Sequence, residues 1–134
     1  MTKYAQLISS LLFTAFALPV SANQVTCHVT YGGQTEKISV SPSETPYTVT
    51  PKAIGSYFLF RAVFRDTPAD LASIKLYTYV DNDVGPTLIH QASYPYPVDN
   101  VIGQNGFTGH QRVYEPIRDS ELEYWCELQM GAGK

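Results

Sequence analysis

A chain of 134 residues has room for one domain of ordinary size, not two. Nine Lys and Arg against twelve Asp and Glu give a net charge of −3, which argues against nucleic acid as a partner. The two cysteines are an even count, and the ten tyrosines are the one compositional excess.

Residues 1–22 read as a cleavable export signal, to be set apart from the fold. Lys3 supplies the positive start, and residues 7–18 form an uncharged apolar run. Pro19 breaks a helix, and Val20-Ser21-Ala22 offers the small or compact residues that precede cleavage. The run is shorter than the roughly 17–25 residues that cross a bilayer, so no transmembrane anchor is expected. Cleavage would leave Asn23 first and, by removing Lys3, shift the net charge from −3 to −4. Cys27 lies near the cut, but Gln24-Val25-Thr26 before it does not suit lipid attachment.

From Val25 onward the apolar residues repeat with a period of two, as half-buried strands require. Val25, Cys27, Val29 and Tyr31 alternate with Thr26, His28 and Thr30. Gly32-Gly33 supplies the positive φ of a hairpin turn, and residues 37–40 return. Pro42 and Pro46 interrupt, residues 47–50 read as a short edge strand, and Pro51 ends it. Residues 57–65 are the strongest strand. Phe58, Phe60, Ala62 and Phe64 form its core face. Tyr57, Leu59, Arg61, Val63 and Arg65 form the other, with both arginines ending in solvent. Residues 66–70 form a loop around Pro68, with room for a single helical turn at 71–73. Through residues 71–80, Ile74, Leu76, Thr78 and Val80 share one face and Lys75, Tyr77 and Tyr79 the other. A polar turn at 81–86 leads to a strand at 88–94. Residues 95–106 show no periodicity and make an unusually long connection. Residues 107–114 read as a further strand. Residues 121–129 close the domain, with Leu122, Tyr124, Cys126 and Leu128 inward and Glu121, Glu123, Trp125, Glu127 and Gln129 outward.

Seven or eight short strands without a helix predict an all-β fold, residues 23–134, as an antiparallel β-sandwich or a barrel. Cys27 and Cys126 sit on the inward sets of the first and last strands, so one disulfide is expected. It would close a loop of about 100 residues, worth on the order of 4–5 kcal/mol. The terminal strands should then be neighbours in one sheet or face each other across the core. Tyr124-Trp125-Cys126 resembles the Tyr-x-Cys of immunoglobulin-type domains. The Trp that such domains bury after the first cysteine is absent, so the resemblance implies a sandwich, immunoglobulin-like in the general sense, and carries no function across.

No motif for catalysis stands out. GxSxG and HExxH are absent, and a disulfide-bonded cysteine is no nucleophile. Asp81 with Asp83 and Glu121 with Glu123 suit a solvated edge better than an acid/base pair. The Asp81-Asn82-Asp83-Val84-Gly85 run lacks the later ligands of a calcium loop. Cys126 and Met130 have no His between them for copper. His28, His90 and His110 lie on separate strands; His90 and His110 flank the long loop and are the weak metal candidates. No cofactor is expected.

Aromatic residues carry the remaining clue. Tyr77, Tyr79, Tyr94, Tyr96, Phe107, Tyr114 and Trp125 form a candidate binding surface, because such rings give contact area at low entropic cost. Tyr94-Pro95-Tyr96-Pro97 makes the 94–107 loop stiff and aromatic, and it is the preferred site. The expectation is a non-catalytic domain, periplasmic or secreted, that binds a protein or glycan through this loop. The alternatives are a subunit of a surface or envelope assembly such as a pilus-like fibre and, below it, a periplasmic metal-binding protein or a hydrolase. No Asn-x-Ser/Thr acceptor follows residue 22, which favours a bacterial envelope.

Overall fold

The structure, a computed structural model, describes residues 11–17, 23–99 and 103–131. Residues 11–17 have no regular secondary structure, and Leu11, Leu12, Phe13 and Phe16 are exposed. The rest of the expected export signal, and residues 100–102 and 132–134, lie outside the described residues.

Among the described residues, period-two alternation resolves into eight strands and two antiparallel sheets. The first sheet holds β1 (Gln24–Tyr31), β2 (Gln34–Val40), β7 (Gln111–Glu115) and β8 (Ser120–Gln129), in the order β2-β1-β8-β7. The second holds β3 (Lys52–Ile54), β4 (Phe58–Arg65), β5 (Ser73–Asn82) and β6 (Gly85–Pro95), in that order. The β1–β2 turn is the two-glycine hairpin the sequence predicts: Gly32 and Gly33 have φ of 61° and 78°, and Tyr31 pairs with Gln34.

The inward sets of both sheets meet in one core. Val25, Cys27, Val29, Leu122, Tyr124 and Cys126 come from the first sheet. Phe58, Phe60, Ala62, Phe64, Ile74, Leu76 and Val80 come from the second. All are buried, and their burial is the main stabilising term. Thr78 shares the inward set of β5, and its hydroxyl has no hydrogen-bond partner.

Cys27 and Cys126 are directly opposed across β1 and β8, with Cα atoms 4.0 Å apart, and form the expected disulfide. The bridge ties neighbouring strands of one sheet. In immunoglobulin domains the corresponding bridge spans the two sheets, so the likeness of Tyr-x-Cys stops at the sequence. The backbone of Cys126 turns away from β1. Its N–H donates to Thr108 Oγ1 at 2.9 Å, and its carbonyl accepts from the Phe107 N–H at 3.0 Å. The long connection after β6 is therefore docked along β8. Gly106 permits this approach, because a Cβ there would overlap the Cys126 carbonyl and its φ of 61° is left-handed.

Three local expectations are corrected. Residues 47–50 are not a strand. Pro46 starts a 3-10 turn, Pro46–Thr48, and Thr48 Oγ1 donates to the Thr45 carbonyl at 2.7 Å, so the pairing segment begins only at Lys52. The single helical turn lies at Ala69–Leu71, ahead of the position expected, which frees Ser73 to open β5. Residues 107–110 are turn and irregular backbone, not strand, and β7 starts at Gln111, because Gly106 and Gly109 both take positive φ as the chain rounds β8.

Candidate functional site

The predicted aromatic surface divides among three places. At one end of the sandwich the 94–107 loop packs its rings onto the core. Tyr94 meets Phe107 edge-on with centroids 5.2 Å apart, and Tyr96 meets Phe64 at 4.9 Å. The Tyr96 hydroxyl accepts from Asn23 Nδ2 at 2.9 Å. All three loop rings are half-buried, and burial pushes the Tyr94 hydroxyl above its ordinary pKa. A hollow of about 250 Å³ lies beside Tyr94, Pro95, Pro97, Val98, Asp99 and Phe107.

Trp125 and Tyr114 stand on the outer face of the first sheet. Trp125 stacks on His28, with centroids 3.9 Å apart and ring planes 8° from parallel. Glu127 Oε2 lies 3.5 Å from His28 Nε2. Beyond them His110 meets Glu123 at 3.4 Å, and Arg112 stands 3.7 Å from Glu121 and 3.5 Å from Glu123. The Tyr114 hydroxyl donates to Asp119 Oδ1 at 2.6 Å, and that bond, holding the neutral phenol, raises its pKa. The His28–Trp125 stack was not read from the sequence, although a signal existed. Once Cys27 faces Cys126 in antiparallel strands, the residue after the first cysteine must face the residue before the second.

The histidines do not converge. His90 points inward, and its Nε2 is 2.7 Å from the Tyr124 hydroxyl. His90 shares the inward set of β6 with Ala92 and Tyr94, opposite Thr78, Leu76 and Ile74, and a bulge in the ladder beyond it puts Leu88 opposite Tyr79. Burial lowers the His90 pKa and raises that of Tyr124, to which Tyr94 adds a smaller push. His110 belongs instead to the outer face of the other sheet, beside Glu123. Among the described residues, no three His, Cys, Asp or Glu side chains are grouped to hold a metal ion.

Tyr77 and Tyr79 remain together on the outer face of the second sheet, with centroids 6.3 Å apart. Arg61, opposite Tyr77 in the ladder, joins them. Its guanidinium lies 5.0 Å above the Tyr77 ring, donates to the Pro46 carbonyl at 2.8 Å, and reaches the Tyr79 hydroxyl at 3.4 Å. The side chain is thus half-buried and pinned, where alternation alone predicts a solvated end. Its Nε–H is buried without a partner among the described residues. Pro46, Tyr47, Arg61, Val63, Arg65, Leu71, Ser73, Lys75 and Tyr77 enclose a groove of about 310 Å³. Val63, although on the outward set of β4, is only 5 % exposed and forms part of its apolar lining. The Tyr47 ring beside it is 95 % exposed.

Comparison with known proteins returns no match: no family model, no curated protein and no solved structure.

Proposed function

We propose that this protein is an exported, non-catalytic binding domain that takes a protein or glycan ligand on the outer face of the β3–β6 sheet. The observation that carries the reading is the pinned Arg61 with Tyr77 and Tyr79 around it. A cation and two rings are held in fixed places on a rigid sheet, beside a groove with an apolar lining and a polar rim. The loop first favoured by the sequence has its rings engaged with the core and is the lesser surface. Export is supported by the disulfide, which oxidising compartments favour. It is also supported by the exposed apolar side chains of residues 11–17, which add nothing to the core.

Calorimetric titration of the purified protein with glycan fragments and candidate protein partners tests the reading. Binding that Tyr77→Ala and Tyr79→Ala weaken together supports it. Binding that survives both and is lost with Phe107→Ala would move the site back to the loop.

One observation favours the second reading, a subunit of an assembly. Of the four edge strands, β2 and β7 carry charges and β3 is three residues long. β6 is eleven residues long, uncharged and largely exposed. A long neutral edge is a template for pairing with another strand. Concentration-dependent association in sedimentation, abolished by Leu88→Lys, would favour this reading over a monomeric binder.

A further inference from the structure

We propose that the groove over β4 and β5 binds an acidic saccharide, a short run of sugars carrying carboxylates. This rests on the reading of that face as the ligand surface and names the ligand class. Arg61, Arg65 and Lys75 line the groove, and no carboxylate does. Among the described residues, carboxylates stand beside Lys52, Arg112, His28 and His110, and none pairs with these three cations. Arg61 and Arg65 lie on the outward set of β4, and Lys75 sits between them on β5, opposite Val63, so the three cations share one face. The buried Nε–H of Arg61 has no partner among the described residues, which costs stability. A bound anion would neutralise this positive face, and carboxylates suit the arginine fork.

The surroundings favour a sugar over a peptide. Peptide recognition on sheets commonly adds a strand to an open edge. Here β5 flanks β4 on one side, and β3 with the 43–48 segment flanks the other, where the Ser43 N–H donates to the Phe64 carbonyl at 2.8 Å. A ligand in the groove therefore meets side chains. Val63 and Leu71 offer apolar surface, Ser73 and Tyr77 offer hydroxyls, and the open Tyr47 ring offers a stacking face. That mixture suits a sugar ring, which has apolar C–H faces and a hydroxyl rim. The volume of about 310 Å³ lies at the small-ligand end of binding sites.

The test is calorimetric titration of the disulfide-bonded protein with a galacturonate tetramer, a neutral galactose tetramer and a tetraglutamate peptide. Each is run on the parent chain and on the double variant Arg65→Gln with Lys75→Gln. The galacturonate tetramer should bind most tightly. It should weaken at least about tenfold between roughly 50 and 500 mM salt, and by about the same factor in the double variant, whose melting temperature should not fall. Equal binding of both saccharides would overturn the acidic class while leaving the ligand face intact. Binding of tetraglutamate alone would overturn the saccharide class, again leaving the face. Galacturonate binding unchanged in the double variant would overturn the groove as its site. If no probe binds, the acidic saccharide is overturned, and the ligand-face reading then stands or falls on the Tyr77 and Tyr79 variants with other ligands.

Discussion

The two outer faces of the sandwich handle charge in opposite ways. On the β1–β8 side, Arg112 is matched by Glu121 and Glu123, His110 by Glu123, and His28 lies flat on Trp125 beside Glu127. On the β4–β5 side, Arg61, Arg65 and Lys75 stand together without an acidic partner among the described residues. On the first face a carboxylate stands beside each of these basic side chains, although His28 Nε2 is buried without a hydrogen bond among the described residues. The second leaves its cations unmatched, and rigidly so, since Arg61 is fixed by a carbonyl, a hydroxyl and a ring. A matched face needs nothing outside the chain to explain it, whereas an unmatched one points to something that binds.

Substitutions separate the two faces. The largest effect should come from the element common to both faces. Replacing Cys27 and Cys126 together by alanine should cost about 4 kcal/mol in denaturant unfolding and lower the stability of the whole sandwich in one transition. Separate transitions for the two sheets would show that the faces belong to independent units. Gly106→Ala should come next, at about 3 kcal/mol by the same measurement, because the new Cβ meets the Cys126 carbonyl and the residue must hold positive φ.

A smaller pair of effects separates the faces themselves. Trp125→Ala removes a stacked ring and should cost about 1–2 kcal/mol while leaving ligand affinity unchanged. Lys75→Gln should do the reverse, with stability altered by under about 0.5 kcal/mol and affinity reduced. Equal stability losses at both positions would dissolve the distinction.

The smallest effect is a matter of pH. Burial holds the His90 pKa below its ordinary 6.5, so the unfolded chain takes up the proton first as pH falls. The stability contributed by neutral His90 is full above pH 6.5 and is lost as pH drops through the folded value. Tyr124 acts with the opposite sign. Its raised pKa makes its contribution full below pH 10 and lost as pH rises beyond. Melting curves against pH should show both limbs, and His90→Gln should flatten the acid limb alone.

Much of the fold was legible because strand burial has a period of two. Phe58, Phe60, Ala62 and Phe64, and the set from Leu122 to Leu128, were assigned to the core from alternation and are buried there. The cysteine pair followed from the same parity. Features set by contacts distant in sequence were not legible. The rings of the 94–107 loop turn inward because Gly106 lets the connection lie along Cys126, which no local pattern reveals. Alternation places Arg61 in solvent because its anchor, the carbonyl of Pro46, lies in a segment distant in sequence that reads only as a break before a strand. His90 faces the core in step with Ala92 and Tyr94, but the bulge between it and Leu88 breaks the period within β6, so alternation over the whole strand does not show it. The cationic face was hidden by the overall charge of −3, which sums the chain while the fold sorts it.

Backbone amide shifts of the labelled protein, followed while the galacturonate tetramer is added, address the central claim most directly. The perturbed residues should cluster at Tyr47, Arg61, Arg65, Ser73, Lys75 and Tyr77, with Glu123, Trp125 and Glu127 unmoved. Perturbation centred on Trp125 and its neighbours, with the groove silent, would contradict that claim.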